Sequence, residues 1–90
     1  MKDKKYLERV RKLDCVVRDG NCYGETVAHH KTGAGMGMKA SDYDTFTLCL
    51  SHHTAGGYGV AIHAGTVEWE RKYNTQDYFI KQTQTRLSGE

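Results

Sequence analysis

The 90-residue chain has no proline, one tryptophan, two phenylalanines and three cysteines. Its length leaves no room for a second hydrophobic core, so one domain over residues 1–90 is expected. It lacks any apolar run long enough to span a bilayer and any signal-peptide core, and so reads as cytosolic with no membrane partner. Three cysteines cannot all pair within one chain. In a reducing compartment, cysteines close to histidines read as metal ligands rather than disulfides. There are no repeats and no low-complexity tract. Gly33, Gly35 and Gly37 lack the spacing of a dinucleotide or phosphate-loop fingerprint, and no βαβ pattern surrounds them.

Nor is the chain a polycation, since its net charge is only +2. The charge is uneven, however. Lys2, Lys4, Lys5, Arg9, Arg11, Lys12 and Arg18 face only Asp3, Glu8 and Asp14 in the first 18 residues. The remainder is close to neutral or slightly acidic. A basic arm suits a polyanion partner, and a solvated helix face accounts for it equally well.

What is present is clustered. Tyr6, Leu7, Val10 and Leu13 recur near the helical period and predict a helix over 3–13. Cys15-Val16-Val17 reads as the start of a strand, and Asp19-Gly20-Asn21 as a turn. Glu25 to Ala28 predicts a strand running into His29-His30. Residues 31–45 read as an irregular loop, and Phe46 to Leu50 as a second strand. Gly56, Gly57, Gly59 and Gly65 mark a further loop. Thr66 is the expected N-cap of a C-terminal helix that carries Trp69 and Tyr73. Asn74-Thr75 interrupts it, and Phe79, Thr83 and Leu87 continue on one face to Ser88-Gly89. Trp69, Tyr73, Tyr78 and Phe79 are expected to fill the core rather than to stack on bases.

Two internal histidine pairs, His29-His30 and His52-His53, each follow a strand candidate. A lone histidine is usually just a hydrogen-bonded polar side chain. Two pairs plus a Cys-x-x-His step (Cys49 to His52) within 25 residues point instead to metal. Such a step puts two ligands on one tight turn, which suits tetrahedral zinc, and Cys15 and Cys22 can supply the other two ligands. In the alternative, the cysteines are buried small hydrophobes and no zinc is held.

Read in order, Ala28-His29-His30, then Gly35-Met36-Gly37-Met38-Lys39-Ala40-Ser41-Asp42, then Thr47 to His53 resemble an HNH endonuclease. Gly59 to Gly65, Trp69-Glu70 and Lys72-Tyr73 narrow this to a resemblance to the phage Ref family of recombination-enhancement, RecA-dependent nucleases, over about Lys5 to Thr83. The resemblance implies an α+β fold: a small ββα-metal (HNH, His-Me finger) core with flanking N- and C-terminal helices, forming a single nuclease domain. It implies a metal-dependent DNA endonuclease in the host-cell cytoplasm, with DNA and a RecA-type recombinase filament as partners.

The resemblance also assigns roles. His29 and His53 become ligands of a catalytic divalent ion (magnesium, manganese, nickel or zinc), and His30 becomes the general base. His29, His30 and His53 thus form the expected chemical centre. His63 is expected as a further ligand or phosphate contact, with a plain surface histidine as the alternative. Asp44 occupies the loop-bracing position, five residues before Cys49. Lys39, Arg71 and Lys72 are candidate phosphate contacts. Many relatives carry Cys-x-x-Cys at the first strand, whereas this chain has Cys15 but Arg18 in the second slot. Cys22 then completes a structural zinc set of Cys15, Cys22, Cys49 and His52.

A neutral imidazole can take a proton from water at neutral pH, and a divalent ion can stabilise the leaving 3′ oxygen. Neighbouring strand residues point oppositely, so a bulge or twist is expected if His29 and His30 both face the site. The competing reading is a zinc-stapled nucleic-acid-binding module without catalysis, which has no use for His30. A third is a structural or partner-docking protein, in which the paired histidines are coincidence.

Overall fold

Asp3 starts the first helix. Its Oδ1 accepts the Tyr6 N–H at 3.1 Å, satisfying one of the unpaired amides at the start of α1 (Lys4–Arg11). Arg9 and Arg11 occupy the last turn, where cations favour the helix dipole, and Val10 is the buried residue of its inner face. The computed structural model describes residues 3–31 and 41–88. Among them α1 is followed by β1 (Thr26–His30), β2 (Thr45–Cys49), a wide helical turn (Ser51–Ala55) and a 3-10 turn (Ile62–Ala64). Two further helices complete the chain, α2 (Thr66–Lys72) and α3 (Gln76–Ser88). The architecture is α+β, with one two-stranded antiparallel sheet.

The hairpin register is regular. Thr26 stands opposite Cys49, and His30 opposite Thr45, with one-to-one pairing between. Strand alternation therefore gives the hairpin two distinct faces. Thr47, on one face, donates through its hydroxyl to the Val10 carbonyl of α1. Phe46 and Leu48 occupy the other. Phe46 lies 6.0 Å from the Trp69 ring of α2 and 5.7 Å from the Phe79 ring of α3. With helices on both sides, every residue of β2 is buried. This Phe46–Trp69–Phe79 cluster, with Leu48 and Ile62, is the main apolar core.

Three local expectations are corrected. Cys15 to Val17 forms no strand. Val16 N–H makes one bond to the Thr47 carbonyl, and Arg18, in the left-handed region at φ 47°, then turns the chain away. Thr66 is not the N-cap of α2. Gly65 holds that position, and Thr66 is the first helical residue, its hydroxyl donating to the Ile62 carbonyl. Tyr78 does not join the core and is 49% exposed, while Trp69 is fully buried. The break at Asn74-Thr75 is present, and Thr75 Oγ1 accepts the Tyr78 N–H at the head of α3. No helix among the described residues is long and apolar enough to cross a membrane.

Candidate metal centres

The first cluster forms where four segments meet. Cys15 follows α1, Cys22 follows the Asp19 turn, Cys49 ends β2, and His52 sits on the wide turn. That turn is closed by Gly56 N–H on the Ser51 carbonyl, a five-residue step that underwinds the helix locally. His52 Nδ1 lies 3.0 Å from Cys49 Sγ, 3.5 Å from Cys22 Sγ and 3.7 Å from Cys15 Sγ. Tetrahedral zinc, with bonds of about 2.3 Å to sulfur and about 2.0 Å to nitrogen, puts those atoms roughly 3.5 Å apart. The observed distances bracket that value, and all four ligand atoms lie within 4.8 Å of one another. The Cys3His cluster is therefore compatible with a structural metal such as zinc.

Its surroundings fit the same purpose. His52 Nε2 is 2.9 Å from Asp19 Oδ1, an ion-pair contact without full hydrogen-bond alignment. Asp19 is itself held by the Asn21 N–H and by the Tyr73 hydroxyl. A carboxylate behind a ligating imidazole orients the ring and fixes its tautomer. Burial opposes ionisation of Cys49, yet the His52 backbone N–H, the His52 ring and the Tyr23 N–H outweigh it and lower the thiol to about 6. Burial and the neighbouring Cys15 push Cys22 up to about 12. Without a cation the cluster thus favours the Cys49 thiolate and resists that of Cys22. A divalent ion removes that repulsion.

The second cluster lies on the Phe46 face of the hairpin. His29, at the end of β1, is buried, with its ring 5.1 Å from Phe46. His53 comes from the wide turn and His63 from the 3-10 turn, where the neighbouring Ile62 is anchored in the core. His53 Nε2 and His63 Nε2 are 3.0 Å apart. Ring centres stand 5.3 Å (His29–His53), 5.2 Å (His29–His63) and 4.5 Å (His53–His63) apart. One ligand nitrogen from each lies within 4.8 Å of the others. Two facing imidazole nitrogens at 3.0 Å must share either a proton or a cation. Burial lowers His29 to about 4 and also lowers His53, on which His63 acts in the same direction. At neutral pH both rings are uncharged, as a metal ligand requires.

His29 Nε2 meets Gln76 Oε1 at 3.3 Å, and Gln76 N–H is held by Glu70 Oε2 at 2.8 Å. The amide oxygen can only accept, so His29 donates from Nε2. Gln76 heads α3 and is only 3% exposed.

The expected convergence of His29, His30 and His53 is corrected. His30 points to the α1 face, and His63 takes the third place beside His29 and His53. No bulge turns the strand, because pairing is regular through His30. His30 Nε2 instead donates to Asp42 Oδ1 at 2.8 Å. The loop that Asp44 is expected to brace, residues 32–40, lies outside the described residues. Asp44 closes the hairpin through its backbone, accepting Lys31 N–H and donating to the Ser41 carbonyl, whereas Asp42 bonds through its side chain. Arg71, exposed, pairs with Glu68 at 3.1 Å, and Lys72 Nζ lies 5.1 Å over the Tyr73 ring. Lys39 lies outside the described residues.

Sequence reasoning missed Asp42 as a partner of His30, Gln76 as a partner of His29, and Asp19 as more than a turn residue. Asp42 stood within the HNH-like stretch, and Asp19 was visible as a carboxylate three residues before Cys22. Nothing marked Gln76.

The model of one protein family, described as "Protein of unknown function (DUF968)", matches residues 1–88. The chain belongs to the DUF968 family. No curated protein and no solved structure matches it. Both clusters of this DUF968 chain, and the His30–Asp42 pair, lie within the matched residues.

Proposed function

We propose that this DUF968 protein is a metal-dependent DNA endonuclease of the HNH, ββα-metal class. In this reading the β1–β2 hairpin and the wide turn carrying His53 are the ββα-metal unit, with its helix reduced to one turn. α1 and α3 flank it, and the Cys3His cluster is its structural zinc. His29, His53 and His63 hold the catalytic divalent ion, and His30 is the general base.

One observation carries the reading. Three imidazoles converge on the site with one of them, His63, open to solvent, and a fourth on the same strand end is gripped by a carboxylate. Structural metal sites are closed, whereas catalytic ones keep an open side for substrate. When bound, a divalent ion supplies charge neutralisation at the scissile phosphate and stabilises the leaving 3′ oxygen. His30 adjoins His29 at the end of β1 and stays outside the ligand set. His29 is kept neutral by burial and held by Gln76. Lys39, Arg71 and Lys72 remain candidate phosphate contacts, and a RecA-type recombinase filament on DNA remains the proposed partner.

The test is nicking of supercoiled plasmid with magnesium, manganese, nickel or zinc, by the native protein, His30→Ala and His53→Ala. Native protein should nick, and His30→Ala should be slower on the order of 10²–10⁴-fold. No cleavage by native protein with any of these ions, with or without recombinase filaments, overturns the proposal. It would favour the zinc-stapled binding module, which needs the Cys3His cluster alone.

A further inference from the structure

The His30–Asp42 contact goes beyond the assignment of His30 as a base. Asp42 is only 9% exposed, and both of its carboxylate oxygens are engaged. Oδ1 accepts from His30 Nε2 at 2.8 Å, and Oδ2 accepts the Asp3 backbone N–H at 2.6 Å. Asp3 is fixed in turn, its Oδ1 by the Tyr6 N–H and its Oδ2 by the Tyr43 hydroxyl at 2.8 Å. Tyr43 and Tyr6 pack edge to face with ring centres 4.8 Å apart. Asp42 is thus locked from behind by the N-terminus of α1 and presents a single free direction, toward His30.

An ionised carboxylate has no proton to give, so the proton in the His30–Asp42 bond belongs to Nε2. In the neutral ring the lone pair then sits on Nδ1. Resting on the nuclease reading, we propose that Asp42 is a positioning residue. It holds His30 in the Nε2–H tautomer and aims Nδ1 at the water to be deprotonated. The assignment also explains a carboxylate buried beside an imidazole that takes no part in the His29–His53–His63 cluster. A histidine that met only solvent would need no such anchored partner.

Asp42→Asn is the informative substitution because it keeps the shape. The Asp3 N–H needs an acceptor, so the amide oxygen turns to it and the amide NH2 faces His30. Nε2 must then accept, the proton moves to Nδ1, and the base nitrogen is blocked. Two measurements follow. Nitrogen-15 NMR of the histidine rings, on metal-loaded protein without DNA, should show His30 as the Nε2–H tautomer in the native chain and as Nδ1–H in Asp42→Asn. Plasmid nicking should show kcat reduced on the order of 10²-fold or more in Asp42→Asn, with KM little changed, and partial recovery in Asp42→Glu. Thermal unfolding checks that Asp42→Asn stays folded. If it does not, the tautomer in the native protein decides the matter alone.

A native His30 ring protonated on Nδ1 overturns the positioning role. So does an Asp42→Asn protein that cuts at the native kcat. A native protein that shows the Nε2–H tautomer but cuts no DNA with any ion overturns the nuclease reading instead.

Discussion

The two metal-ligand clusters are built on the ends of one small hairpin, and they differ in almost every physical respect. The Cys3His cluster is mostly buried, with Cys22 alone on the exposed side. Cys15, Cys49 and His52 are buried, and Asp19 and Tyr73 back the one imidazole. The three-histidine cluster is graded, with His29 buried, His53 half-buried and His63 exposed. The first holds a Cys49 thiol primed to ionise, whose charge a cation would neutralise. The second offers only imidazole nitrogens, and its His63 faces solvent. Their neighbours His52 and His53 are adjacent in sequence, yet the wide turn sends one to each cluster. A chain of 90 residues has a marginal core, and a metal held there by four separate segments would replace apolar mass that it does not have.

The largest test of this contrast removes a ligand from each cluster. Cys49→Ser should lose zinc and cooperative unfolding together, since a domain of this size holds only roughly 5–10 kcal/mol and structural zinc supplies much of it. His63→Ala should leave the melting temperature within a few degrees of native while abolishing binding of manganese. Calorimetric scans and a manganese titration check the pair. Equal destabilisation by both substitutions would erase the distinction between the clusters.

The same contrast was only partly legible in the chain. The ligands themselves were readable, because a Cys-x-x-His step and paired histidines after strands are local patterns. The turn at Asp19 and the break at Asn74 were readable for the same reason. What supports the ligands was not. Gln76 reaches His29 across 47 positions, and Asp19 lies on the turn that precedes Cys22, far from His52 in sequence. Such partners are set by packing of separate elements, and no local period encodes them. The expected bulge failed for a different reason. It assumed that both strand-end histidines serve one point, whereas simple alternation sends His30 to the α1 face and Asp42. Val16-Val17 has strand-forming side chains, but the positive φ of Arg18 leaves space for only one ladder bond.

Acid should separate the clusters in a second way. His29 is lowered from 6.5 to about 4 by burial. Its contribution to stability is therefore complete above pH 6.5 and is lost as pH falls toward 4, where the native ring must charge inside the core. Measured by denaturant titration with zinc in the Cys3His cluster and no other divalent ion added, that loss amounts to at most about 3 kcal/mol. His29→Leu should lack this part of the acid dependence. A profile unchanged by His29→Leu would show that burial does not govern this ring.

Smaller effects should stay local. Gly24 has φ +83°, and a Cβ there would lie 2.5 Å from Leu50 Cβ, one residue past Cys49. Gly24→Ala should cost on the order of 1–3 kcal/mol and weaken zinc retention without changing manganese binding. Asp19→Asn should weaken zinc about tenfold, measured by competition with a chelator, because the carboxylate behind His52 is lost. Neither substitution should alter the ring nitrogens of His53 and His63 in NMR spectra.

The most direct measurement is a crystal structure of the protein soaked with manganese, with anomalous scattering used to place the ions. The account predicts one site among Cys15, Cys22, Cys49 and His52 Nδ1, occupied by zinc. It predicts a separate manganese site within about 2.3 Å of one nitrogen each from His29, His53 and His63. Rings of His29, His53 and His63 too far apart to share an ion, or manganese bound by His30 in place of His63, would contradict it.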